Sequence, residues 1–102
     1  NNIPPSSAVR TRTFEISNAM EHHGYPMNDG MKMRHRINGK LYESGRIDET
    51  VAANTNEIWV FNNSKGDEPH PMHLHGVFFR VLQRTGGRGN LIASESGWKD
   101  TV

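Results

Sequence analysis

The sequence contains no cysteine, which excludes disulfide cross-links and thiolate metal ligands within the chain itself. It also lacks an apolar run long enough for a signal peptide or a membrane-spanning helix. The formal net charge is only +1, so the chain carries no electrostatic footprint of nucleic-acid binding. Any chemistry must therefore come from side chains other than thiols.

The apolar content is low for a chain of this size. The 102 residues are enough for one small domain, and 33% of them are hydrophobic. Small domains bury a lower fraction of their surface than large ones, and no disulfide compensates here. We therefore expect a thin core, which is more typical of a piece of a larger protein than of a whole one.

Short segments of alternating polarity indicate β structure, with no convincing helix. In the predicted strand Val9–Ile16, Phe14 and Ile16 share one face, and residues 20–30 are predicted to form a loop. Asn38-Gly39 is a strong tight-turn signal. The other predicted strands are Met31–Ile37 (with Lys32, Arg34 and Arg36 on a polar outer face), Lys40–Tyr42, Ile58–Phe61 and, as the longest, His73–Leu82. Several short strands at this spacing predict a β-sandwich or barrel.

The segment His70-Pro71-Met72-His73-Leu74-His75-Gly76 places three of the six histidines within six positions. Side chains two apart on a strand point to the same face, so His73 and His75 should lie about 6.6 Å apart at roughly 3.3 Å per residue. That spacing suits two ligands of one metal or of two adjacent metals. His70 precedes a proline, which forces it into an extended conformation, so it should leave in its own direction and serve a different centre.

These residues resemble the third cupredoxin domain of multicopper oxidases, the laccase-like enzymes, especially the bacterial ones. The resemblance extends from about residue 31 to the end of the chain. HPxHxHG in this context is a specific signal, whereas HxH alone is weak. The matching segments are HPMHLHGVFFRVL (70–82), GWKDTV (97–102), INGKLY (37–42), RIDETV (46–51) and TNEIWVFNN (55–63).

The resemblance implies an incomplete cupredoxin-like Greek-key β-sandwich that lacks its final strands, with residues 9–102 as a partial domain. Residues 1–8, with two adjacent prolines and two serines, are predicted to be an extended entry segment. It implies that His70 binds the type 1 copper, His73 the type 2 copper and His75 a type 3 copper of the trinuclear cluster. The whole enzyme would oxidise phenolic or aromatic reductants, or Cu(I), and reduce dioxygen to water. A type 1 site needs a cysteine thiolate, so this chain alone is expected to be inactive.

The resemblance also implies a periplasmic or secreted parent. Open sheet edges predict association with the remainder of that oxidase or with copies of the chain itself. Two other functions stay open. One is a non-enzymatic β module that binds copper or another divalent metal. The other is a different metal-dependent β fold such as a cupin, which fits poorly because no glutamate follows the HxH pair at the cupin spacing.

A second group of histidines and methionines precedes the strand at residue 31. Thioethers favour Cu(I), so an accessory copper-handling loop is a hypothesis for His22, His23 and Met27. Copper-efflux oxidases of the same family carry methionine- and histidine-rich insertions in roughly this region. Packing is the better interpretation of Met31 and Met33, because both alternate as strand residues and methionine often fills gaps.

Overall fold

The computed structural model describes residues 3–22, 31–65, 68–87, 89 and 91–102. Three strands form within them: β1 (Ala8–His22), β2 (Met31–Ile37) and β3 (Asn56–Lys65). Two single 3-10 turns, Pro5–Ser7 and Ala93–Glu95, are the only helical segments of the described residues. The all-β prediction is therefore confirmed, and it is consistent with a cupredoxin-like domain. The described residues contain no helix long and apolar enough to cross a membrane.

The three strands form one mixed sheet in the order β2-β1-β3. β1 is the central strand, and its two halves have different partners. Its first part runs parallel to β3, with Phe14 opposite Phe61. Its second part runs antiparallel to β2, with Ile16 opposite Ile37 and the pairing continuing to the end of the strand. The staggered arrangement explains why β1 is so long, because each half completes a different pair.

The predicted strands agree with this sheet to different degrees. The bounds predicted for β2 are confirmed, and the predicted Ile58–Phe61 lies inside β3. The loop predicted for residues 20–30 is wrong at its start, since β1 continues to His22. The rest of that loop, residues 23–30, lies outside the described residues, and so do His23 and Met27 of the accessory-site hypothesis.

The tight turn predicted at Asn38-Gly39 is confirmed. Both residues have positive φ, 51° at Asn38 and 78° at Gly39, which is the conformation that Asn-Gly adopts most readily. Ile37 and Lys40 exchange both backbone hydrogen bonds, each 3.0 Å long. Among the described residues, the returning segment makes one isolated bridge, at Lys40, so the strand predicted for Lys40–Tyr42 reduces to its first residue.

The core is a small aromatic cluster on one face of the sheet. Phe14 and Ile16 are 6% and 5% exposed, which confirms that they share the buried face of β1. The ring of Phe14 lies 4.8 Å from that of Trp59 and 5.3 Å from that of Phe61, measured between centroids. Both partners come from β3, so the parallel pairing of β1 and β3 forms the core.

The polar outer face predicted for β2 is wrong. Arg34 and Arg36 are half-buried, whereas Met33 and Ile37 are exposed. The reason is the stagger of the sheet: β2 pairs with the part of β1 that lies beyond the aromatic cluster. Hydrophobic alternation identified the strand correctly but did not predict which of its side chains are the more exposed.

A half-buried ion pair closes one side of the aromatic cluster. Arg12 on β1 donates from Nε and Nη2 to the two carboxylate oxygens of Glu57 on β3, at 2.7 and 3.2 Å. The indole of Trp59 donates to the same carboxylate at 2.9 Å. Arg12 also reaches Glu49 at 3.0 Å and the carbonyl of Thr50 at 2.8 Å, which ties the segment before β3 to the sheet. Paired charges with this bidentate geometry are stronger than single hydrogen bonds.

The Arg12–Glu57 pair gives the stability of the sheet a pH dependence. The hydrogen bonds from Arg12 and then Trp59 hold the pKa of the Glu57 carboxyl below its ordinary value of 4.5. As the pH falls, the unfolded chain therefore takes up the proton first, and unfolding becomes more favourable. We expect urea midpoints of the wild-type chain to fall below about pH 4.5 and to keep falling until the folded carboxyl is also protonated.

Glu57→Gln is the control for this prediction. This variant should be less stable than the wild type at neutral pH, because Arg12 loses one of its two carboxylate partners and keeps only Glu49. Its midpoint should fall less steeply than that of the wild type through the acid range. Parallel acid profiles for the two proteins would contradict the assignment to Glu57.

The chain divides into two compact units, Asn1–Pro69 and His70–Val102. The sheet belongs to the first. In the second, Met72 and Val102 exchange backbone hydrogen bonds of 2.6 and 2.9 Å, and Phe79 and Lys99 exchange bonds of 2.7 and 2.8 Å. The continuous strand predicted for residues 73–82 is wrong: the described backbone there makes isolated bridges at His73 and Phe79.

Candidate metal centre

The backbone around His73 is held by a short antiparallel pairing. His73 lies opposite Thr101, and the bond from the Leu74 amide to the Asp100 carbonyl, 3.1 Å long, fixes the register on one side. The Met72–Val102 pair fixes it on the other side. The HPMHLHG and GWKDTV segments are therefore paired with each other within the second unit.

The backbone leaves this pairing immediately after Leu74. Gly76 has a φ of 82°, a left-handed conformation that costs a side-chain-bearing residue energy. Pairing resumes only at Phe79, opposite Lys99, so residues 75–78 loop out between two successive pairings. Val77 and Phe78, in this loop, are 59% and 69% exposed. The loop is the physical reason that the predicted long strand does not form.

The imidazoles of His73 and His75 lie side by side. Their ring centroids are 4.8 Å apart, and the ring planes make an angle of 73°. The rings are therefore closer to each other than the backbone positions of residues i and i+2 in a regular strand, which are about 6.6 Å apart. The bend at residues 75 and 76 departs from strand geometry, yet both rings remain on the same side.

The hydrogen bonds of His73 determine which of its nitrogens can bind a metal. Nδ1 lies 2.8 Å from the backbone carbonyl of Asp100 and 2.8 Å from the hydroxyl oxygen of Thr101. A carbonyl can only accept, so this contact assigns the proton to Nδ1. Nε2 of His73 then keeps its lone pair. Metal-binding histidines are typically held in this way, with one nitrogen on the metal and the other donating to a carbonyl or carboxylate.

The two imidazoles border an open concavity of about 400 Å³ within the second unit. Its walls combine the two rings with apolar side chains from the loop and with one carboxylate-bearing residue. It is lined by His73, Leu74, His75, Gly76, Val77, Phe78 and Asp100. The donor set fits copper, because imidazole is a preferred ligand of that metal and the lone pair of His73 Nε2 is not used by the hydrogen bonds described above.

His70 occupies a separate place from the other two predicted ligands. It is half-buried, whereas His73 and His75 are exposed, and it is not among the residues that line the concavity. The structure thus brings together two of the three predicted residues. Whether His70 serves a separate centre, as the sequence predicts, stays a prediction.

Sequence reasoning missed two residues of this site, Asp100 and Thr101. Both fall in the GWKDTV match, which was the only signal that could have pointed to them. The Asp100 contact to His73 uses the main-chain carbonyl, and a carbonyl is present whatever the side chain. Only the register of the pairing shows that these residues face His73.

Comparison with known proteins places these features in a family. The chain matches the family model described as multicopper oxidase over residues 5–102. It is 33% identical over 107 residues to multicopper oxidase mco of Staphylococcus haemolyticus (strain JCSC1435), covering 94% of this chain and 23% of the relative. It is 35% identical over 85 residues to multicopper oxidase mco of Staphylococcus epidermidis (strain ATCC 12228 / FDA PCI 1200), covering 72% of this chain and 19% of that relative.

A further similarity is to a protein with a different name. The chain is 38% identical over 66 residues to cell division protein FtsP of Escherichia coli (strain K12), covering 65% of this chain and 13% of the relative. The chain therefore spans less than a quarter of the length of each of these relatives. No solved structure matches it.

Proposed function

The chain belongs to the multicopper oxidase family, and from this premise we propose that it is the part of a laccase-like oxidase that supplies histidine ligands to copper. The observation that carries the proposal is the His73–His75 pair. Its rings are 4.8 Å apart, and the Nδ1 of one ring is committed to a backbone carbonyl at 2.8 Å. Two imidazoles are thus positioned before any metal arrives, which lowers the cost of ordering them on binding.

In this proposal each residue has a specific role. His73 holds type 2 copper through Nε2, and His75 holds a type 3 copper of the trinuclear cluster. Val77 and Phe78 form an apolar part of the wall beside the two rings. Copper, when bound, supplies the one-electron chemistry by which dioxygen is reduced to water.

His70 is proposed to bind the type 1 copper, where electrons from the reductant enter. Such a site also requires a cysteine thiolate and a second histidine. This sequence has no cysteine. His70 would therefore share the site with residues contributed by the remainder of the oxidase, with residues 9–102 forming part of one cupredoxin domain. The reductants we propose are phenolic or related aromatic compounds, or Cu(I), in a periplasmic or secreted enzyme.

A second candidate function follows from the similarity to cell division proteins. Membership of the family does not by itself establish oxidase activity, because relatives at 38% identity carry the name of a cell division protein. In this alternative the chain is part of a non-enzymatic β module that binds copper or another divalent metal through the same histidines.

Oxygen consumption by the copper-loaded, full-length protein separates the two candidates. We expect uptake that depends on a phenolic donor or on Cu(I), together with the intense blue absorbance of a cysteine-ligated type 1 copper. The matched control is the same protein with His73 and His75 both replaced by alanine, which should keep the blue absorbance and lose the uptake. Copper binding by the wild type without oxygen uptake from any of these donors would favour the non-enzymatic module.

A further inference from the structure

Thr101 stands directly opposite His73 in the short antiparallel pairing of the second unit. Directly opposed residues of an antiparallel pair project to the same side, with Cβ atoms about 5 Å apart. The backbone pairing therefore places the side chain of residue 101 beside the imidazole of His73. Threonine is branched at Cβ, so its hydroxyl has few orientations to choose from.

The hydroxyl of Thr101 connects the imidazole to a carboxylate. His73 Nδ1 lies 2.8 Å from Thr101 Oγ1, and Thr101 Oγ1 donates to Asp100 Oδ1 at 3.1 Å. The donor and the acceptor of both hydrogen bonds in this series can be assigned. The carboxylate can only accept, so the hydroxyl hydrogen points to Asp100, and a lone pair of Oγ1 is left to accept from the imidazole N–H.

The Asp100 carbonyl makes a second contact of the same length to Nδ1, and it also accepts the backbone N–H of Leu74 at 3.1 Å. Its position is set by the pairing and does not depend on any side chain. One acceptor leaves the ring free to rotate about the N–H···O direction. Two acceptors on the same N–H, one from the backbone and one from a stiff side chain, define the plane of the ring.

We propose that Thr101 is a positioning residue for His73. Its hydroxyl gives the Nδ1–H a second acceptor beside the Asp100 carbonyl, orients Nε2 toward the concavity, and links the imidazole to the negative charge of Asp100. The link makes Nε2 a better electron-pair donor to a metal. The inference rests on the proposed role of His73 as a copper ligand, and it adds the residue that prepares this ligand before copper binds.

The test compares Thr101→Val with Thr101→Ser in the full chain. Valine keeps the shape and the β-branch but has no hydroxyl, whereas serine keeps the hydroxyl. In the metal-free proteins, the 15N shifts of the His73 ring nitrogens report the tautomer. We expect the proton on Nδ1 in the wild type and the serine variant. The valine variant keeps only the Asp100 carbonyl as acceptor, so a larger fraction of its His73 rings should carry the proton on Nε2.

Titration with Cu(II) against a competing chelator provides the second measurement. We expect the valine variant to bind roughly 10-fold more weakly or worse, the usual cost of losing an outer-shell partner, and the serine variant to stay within about threefold of the wild type. Valine and serine variants with equal tautomer fractions and equal affinities would overturn the inference. Absence of copper binding by all three proteins would instead count against the proposed function, and the ring-nitrogen shifts would still decide the role of Thr101.

Discussion

Replacing both His73 and His75 by alanine is expected to weaken Cu(II) binding by at least about 100-fold. This loss exceeds the effect expected from removing a residue that only hydrogen-bonds a ligand, such as Thr101. In the whole oxidase each ring is proposed to hold its own copper, but in this chain by itself the two rings, 4.8 Å apart on the rim of one concavity, can serve the same Cu(II) ion. Each single substitution should leave one monodentate imidazole and should therefore account for most of the loss. The measurement is a competition titration of the chain with a chromophoric chelator.

The control for this prediction is His35→Ala. His35 is an exposed imidazole on β2, in the first unit, and so belongs to a different part of the chain. Removing it should leave the affinity of the His73–His75 pair unchanged. A repeat with Zn(II) should give weaker binding than Cu(II), as the order of divalent affinities requires. If His35→Ala were as damaging as the loss of either paired histidine, the candidate centre would be misplaced.

Phe14→Ala is expected to lower the free energy of unfolding by about 3 kcal/mol, the lower end of the range for this change in a core. Phe14 is 6% exposed and contacts the rings of both Trp59 and Phe61. The cluster is small and its partners are only partly buried, so the neighbours can close part of the cavity. Even so, this loss is a large fraction of the stability of a domain of this size. Urea unfolding monitored by Trp59 and Trp98 fluorescence provides the measurement.

Phe78→Ala is the matched control, because it removes the same atoms from a side chain that is 69% exposed. We expect it to change the free energy of unfolding by less than about 0.5 kcal/mol. Phe14→Leu, which keeps part of the buried volume, should fall between the two. Equal losses for Phe14→Ala and Phe78→Ala would show that the aromatic cluster does not form the core.

The comparison of sequence and structure shows which features local pattern determines. β2 was predicted with its correct bounds. Charged and less polar residues alternate strictly up to an Asn-Gly pair, and Asn-Gly strongly favours one tight-turn conformation. The extension of β1 beyond Ile16 to His22 was not predicted, since it depends on β2 as a pairing partner. Tertiary pairing of this kind extends a strand beyond the point where its own sequence stops alternating.

In the candidate site, too, some features follow from the local sequence pattern and others depend on tertiary pairing. Period two was enough to predict that His73 and His75 lie on one side, even though the regular strand on which that argument depended is absent. The run of residues 77–82, apolar except for Arg80, is typical of a buried strand, but the positive φ of Gly76 turns the backbone out of the pairing. The support for His73 could not be predicted, because it comes from a main-chain carbonyl and a hydroxyl brought in from 27 and 28 positions away.

The loop at residues 75–78 has a consequence for how such a site can diversify. Residues 72–74 pair with residues 100–102 before the loop begins, and the next pairing, between Phe79 and Lys99, comes after the loop ends. Residues can therefore be inserted, deleted or exchanged near Val77 without shifting the alignment that holds His73 against Thr101. The part of the concavity wall formed by Val77 and Phe78 can therefore change while the pairing keeps His73 in place, whereas His75 lies in the loop itself and would move with it.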